Sequence, residues 1–148
     1  MSPEAQQIVA IVQRLASKHS AFVATGPGAG NSVTNLVMQQ VNQEVAAIFG
    51  ESAIERAFLD GVRQNVDFYL ESTKEVIEVE LSLSNPYPCL EKDSMKILLA
   101  RDQGHKIKRL ILVGDPGCRQ RLAAPAPNAI MSYLKQAHGL EVEIHELT

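Results

Sequence analysis

A chain of 148 residues, 45% hydrophobic and 21% charged, has the make-up of one globular domain rather than of a disordered chain. Its net charge of −3 excludes a protein that coats nucleic acid by charge alone. No apolar run reaches membrane-spanning length and no basic leader precedes the first element, so a cytoplasmic protein with no membrane contact is expected.

Ser2 can cap a first helix with Pro3 in its first turn, and Ile8, Ile11, Val12 and Leu15 recur at helical spacing. A glycine-rich stretch from Thr25 to Ser32 follows. It has no lysine before Ser32 and no strand ahead of it, so it fails as a phosphate-binding loop and reads as a linking or substrate-gating loop. A second helix opens at Asn31 or Ser32, lines Val33, Val37, Val41, Val45 and Ile48 along one face, and ends at Gly50. Glu44 falls inside that stripe. A carboxylate there costs desolvation unless it meets a cation or metal, or else it lies at the stripe's edge and reaches solvent. Ser52-Ala53-Ile54-Glu55 has capping-box form and predicts a short third helix.

Asn65 to Glu71 and Glu75 to Leu83 both alternate apolar and polar residues, which predicts two strands joined by a tight turn at Ser72-Thr73. Asn85-Pro86-Tyr87-Pro88 breaks the second strand, and a helix is predicted from about Leu90 to Gln103, capped by Gly104. Arg109 to Val113 is a short apolar run of the kind buried on both faces of a sheet. After a turn at Asp115-Pro116-Gly117, a helix from about Asn128 to His138 precedes a last strand marked by Leu140, Val142 and Ile144. The order α-α-ββ-α-β-α-β predicts an α/β fold, a mixed β-sheet flanked by helices, in a single domain over residues 1–148. Residues 1–50 would form N-terminal helices, 64–116 the core, and 117–148 a C-terminal helix and strand. Cys89 and Cys118 stand far apart and read as reduced thiols.

Charge is unevenly spread. Nine acids face three bases between Glu44 and Glu80, whereas eight bases face four acids between Glu91 and Arg121. A turn centred on Ser72-Thr73 puts Asp67 directly opposite Glu78 on one face, with Glu80 two residues further along. Carboxylates so placed repel by about 0.2–1 kcal/mol even when exposed. A divalent cation reverses that sign, and Mg²⁺ accepts one or two carboxylates together with water and phosphate. A plainly solvated polar face is the other reading of the same spacing.

Val66-Asp67, a hairpin, then Glu78-Val79-Glu80, a helix and a buried strand together resemble the core of the PD-(D/E)XK nuclease superfamily. Glu80 stands where most members have lysine, which is similar to the Glu-x-Glu variant of restriction endonucleases of the BamHI and BglII kind. The resemblance covers Val66 to about Pro116, roughly a third of the chain. It implies a restriction-endonuclease-like core in which Asp67 and Glu78 bind Mg²⁺, with Mn²⁺ as a substitute. Glu80 would be a further ligand or a base. The lysine would come from Lys92 or Lys96, four apart on one helical ridge, and Glu44 would be an accessory ligand. The implied activity is hydrolysis of phosphodiester bonds in nucleic acid, DNA more than RNA, by a homodimer or larger assembly. The competing expectation is a non-catalytic binding or regulatory domain on the same scaffold. Arg119 and Arg121, beside Cys118, are further candidates for phosphate contact.

Overall fold

The computed structural model describes residues 1–19, 30–58, 64–81 and 86–148, so most of the glycine-rich stretch lies outside the described residues. Helix α1 (Pro3–Ala16) begins where Ser2 accepts the Ala5 N–H through its hydroxyl, and it buries Ile8, Ile11, Val12 and Leu15. Helix α2 (Gly30–Phe49) buries Val37, Val41 and Val45 and half-buries Val33. Ile48, expected on that face, is instead 51% exposed.

The predicted third helix is not formed. Glu51–Ala53 makes a single 3₁₀ turn and Ile54–Ala57 is a strand, β1. The capping residues supply a start signal, but Ile54 and Arg56 find partners in Phe68 and Val66 of β2 (Asn65–Leu70). Strand pairing outweighs a helix too short to stand alone. Strand β3 (Glu75–Glu80) pairs antiparallel with β2 in the expected register, Phe68 opposite Ile77 and Leu70 opposite Glu75. The connection is a four-residue turn, Glu71 to Lys74, rather than a tight two-residue one, and Lys74 takes φ +60° to close it.

Helix α3 (Pro86–Asp102) starts earlier than expected and carries the chain to β4 (Arg109–Gly114), which lies parallel to β3. A short helix α4 (Cys118–Leu122) and a longer α5 (Pro125–His138) lead to β5 (Glu141–Glu146), parallel to β4. The sheet is therefore mixed, with strand order β1-β2-β3-β4-β5. Helices α1 and α2 cover one face, packing on Phe68, Leu70, Ile77, Val79, Ile111 and Val113. Helices α3, α4 and α5 cover the other, packing on Tyr69, Val76, Leu110 and Leu112. No helix among the described residues is long and apolar enough to cross a membrane.

Candidate active site

Alternation along β3 decides where its acids go. Ile77 and Val79 face α1 and α2, so Val76, Glu78 and Glu80 turn toward α3. Backbone pairing between β2 and β3 runs as far as Phe68 opposite Ile77, and at Asp67 side chains take over. The Val79 N–H donates to Asp67 Oδ2 at 2.7 Å, and the Asp67 N–H donates to Glu78 Oε2 at 3.3 Å. Across β1, the residue facing Asp67 is Glu55, whose φ of +45° departs from strand geometry. The sheet is thus distorted on both sides of Asp67.

Over this opening lies α3. Glu78 is 3% exposed and Asp93 is fully buried. Lys96, one turn beyond Asp93, inserts its ammonium between them. It donates to Glu78 Oε1 at 2.9 Å and to the Asn65 carbonyl at 3.1 Å, and it lies 3.0 Å from Asp93 Oδ1. Lys92, more than half exposed, sits 3.5 Å from Glu80 Oε1 and 3.8 Å from Asp93 Oδ1. Asp67, Glu78, Glu80, Lys92 and Lys96 are therefore brought together between the sheet and α3.

Glu44 is not. It belongs to α2, on the far side of the sheet, and pairs with Arg14 of α1 at the partly exposed junction of the two helices. Its place in the stripe reflects that ion pair. Arg119 and Arg121 are engaged as well, Arg121 with Asp115 at 2.6 Å and Arg119 with the Ile144 carbonyl at 3.1 Å. Asp93 is the site residue that sequence reasoning passed over. It lies three residues after Leu90 and four before Ile97, both fully buried, so the criterion applied to Glu44 marks it too.

Burial raises the Glu78 carboxyl to about 9, reinforced by the charges of Asp67 and Asp93 and opposed by Lys96. Burial also raises Asp67, against the Val79 hydrogen bond and Lys96, and it raises Glu80, against Lys92. Lys96 is raised overall, since Glu78 and Asp93 outweigh the desolvation that would lower it. It stays an ammonium and is no proton acceptor at neutral pH. Burial lifts the thiols of Cys89 and Cys118 to about 11, which keeps both protonated at neutral pH.

The chain matches no known protein family, characterised protein or solved structure with which it was compared. Among the described residues no three His, Cys, Asp or Glu side chains form a ready-made cage for a metal. Asp67 and Glu78 lie side by side, Glu78 Oε2 accepting the Asp67 N–H and Asp67 Oδ2 the Val79 N–H. Both Asp93 oxygens are buried without a well-formed hydrogen bond. Carboxyl oxygens are the hard donor type that Mg²⁺ accepts alongside water and phosphate.

Proposed function

We propose that the protein is a Mg²⁺-dependent nuclease that hydrolyses phosphodiester bonds in nucleic acid, with Mn²⁺ able to substitute. The observation that carries this reading is a crowd of buried carboxyl groups around one ammonium: Glu78 and Asp93 both reach Lys96 Nζ, and Asp67 adjoins Glu78 through its backbone N–H. Burying unbalanced charge destabilises a fold, and an added cation relieves that cost. The arrangement of elements supports a restriction-endonuclease-like core. Asp67 is on the middle strand of an antiparallel meander, Glu78 on its third strand, and α3 crosses to a parallel β4.

Asp67 and Glu78 would hold the ion, which supplies an acidified water and neutralises charge on the phosphate. Lys96, kept protonated, offers its positive charge to the phosphate oxygens on which charge develops. Glu80, raised by burial and lying beside the exposed Lys92, would be a further ligand or the base that accepts a proton from the attacking water. Lys92 is free to lean toward a phosphate on the solvent side. DNA is the favoured polymer on the Glu-x-Glu resemblance.

The test is calorimetric titration of Mg²⁺ and Mn²⁺, with and without a nuclease-resistant oligonucleotide, into the wild type and a folded Asp67→Asn/Glu78→Gln variant. Cleavage of duplex DNA, single-stranded DNA and RNA is followed in parallel. Saturable binding and cleavage, both lost in the variant, are expected. Equal cleavage by the folded variant overturns the proposal. A second reading, a non-catalytic binding domain on this scaffold, draws on the three acceptors around Lys96, which neutralise part of the site without an ion. It requires no divalent binding at all.

A further inference from the structure

Asp93 is costly where it stands. It occupies the buried face of α3 between Leu90 and Ile97, is 0% exposed, and neither carboxylate oxygen accepts a well-formed hydrogen bond. An apolar side chain at that place would extend the packing against the sheet. What the aspartate has instead is Lys96 Nζ at 3.0 Å, one turn along the same helix, and the more distant Lys92 at 3.8 Å.

The surroundings of Lys96 explain why such a partner is needed. An ammonium has three donors, and here three acceptors surround it: Glu78 Oε1, Asp93 Oδ1 and the Asn65 carbonyl. Glu78 is also the carboxylate that the proposed nuclease gives to a divalent cation. A cation on Glu78 repels the ammonium and withdraws its best acceptor. Without a second buried carboxylate, Lys96 would swing into solvent on its four-carbon stem as the cation arrives. Asp93 and the Asn65 carbonyl remain, and neither depends on Glu78.

We infer that Asp93 is the positioning residue for Lys96, anchoring the ammonium in the site when Glu78 turns to a cation. The inference rests on the nuclease reading and deepens it, since it assigns a task to a residue outside the Asp67, Glu78 and Glu80 set.

The test is NMR of the ε-ammonium of ¹⁵N-labelled Lys96, assigned with Lys96→Met, in the wild type and Asp93→Asn, without and with saturating Mg²⁺. A ¹³C-carboxyl probe on Glu78 reports the cation. A slowly exchanging ammonium signal is expected in the wild type in both conditions, shifted by Mg²⁺ but retained. In Asp93→Asn it is expected without Mg²⁺, through Glu78, and lost with it. Loss of the signal in wild type on adding Mg²⁺ overturns the inference, and that arm stands even if Asp93→Asn fails to fold. Retention in Mg²⁺-saturated Asp93→Asn overturns it too. A Glu78 carboxyl that never responds to Mg²⁺ overturns the nuclease reading itself, and the anchor with it.

Discussion

At neutral pH the Glu78 carboxyl, raised to about 9 by burial and by the neighbouring Asp67 and Asp93, keeps its proton, and the neighbouring Asp67 is raised as well. Two consequences are measurable. The folded protein binds more protons than the unfolded chain between the ordinary carboxyl value of 4.5 and about 9. Stability from this group is therefore full below that window and falls as pH climbs through it. In Glu78→Gln that loss is absent, so its melting temperature relative to wild type should rise steadily from pH 6 to 9; a constant difference would contradict the assignment. Cation uptake should also expel protons from the pair, giving a binding enthalpy that varies with the ionisation enthalpy of the buffer. Opposed Asp67 and Glu78 were legible in the sequence because period-two alternation and a turn at Ser72-Thr73 define the pairing. Asp93 was hidden by its company: beside Lys92 and Lys96 it looks like one member of a solvated ridge, and only the packing of α3 shows it buried.

Among the elements, the β2–β3 hairpin holds the site in register, and its turn carries a small strain. Lys74 adopts φ +60°, a conformation that costs an L-residue with a side chain about 1 kcal/mol, while glycine accepts it freely. The Lys74 carbonyl takes the Lys108 N–H at 2.9 Å, a backbone contact that substitution leaves in place. Lys74→Gly should stabilise the protein by about 0.5–1 kcal/mol in urea unfolding, with no change in slope. Strand β1 shows where local signals end. Ser52-Ala53-Ile54-Glu55 reads as a helix start, yet the segment becomes the outer strand of the meander because β2 offers it a partner. Helix α1 needed no such help, since its cap, its proline and its apolar period agree.

For the whole molecule, the joints between layers are charged. Glu75, 1% exposed at the start of β3, accepts the Ser2 N–H at 3.0 Å and the Arg109 guanidinium at 2.9 Å, and Arg109 continues to Glu141 at 2.7 Å. One carboxylate thereby ties the entry to α1 to β3, β4 and β5. Burial pushes Glu75 up, but the Ser2 hydrogen bond and Arg109 more than reverse it, and its value lies below the usual range. Its stabilising contribution is present above the unfolded value of 4.5 and disappears as pH falls through the lowered folded one. Glu75→Gln should cost about 1.5–3 kcal/mol in urea at pH 7 by replacing charge-assisted hydrogen bonds to Ser2 and Arg109 with neutral ones, and clearly less near pH 3. Equal losses at both values would mean that packing, not charge, is what the residue supplies.

The α/β class, the order of most elements and the facing of Asp67 by Glu78 were determined by the sequence alone, because periodicity, caps and turn placement act over a few residues. Tertiary structure decided the rest. It made β1 a strand and drew Glu44 to Arg14 on the far side of the sheet. It chose Lys96 over Lys92 as the ammonium inside the site, and it buried Asp93 beside it. Each of these depends on which surfaces meet across the sheet, and burial turns an ordinary surface charge into one that must find a partner.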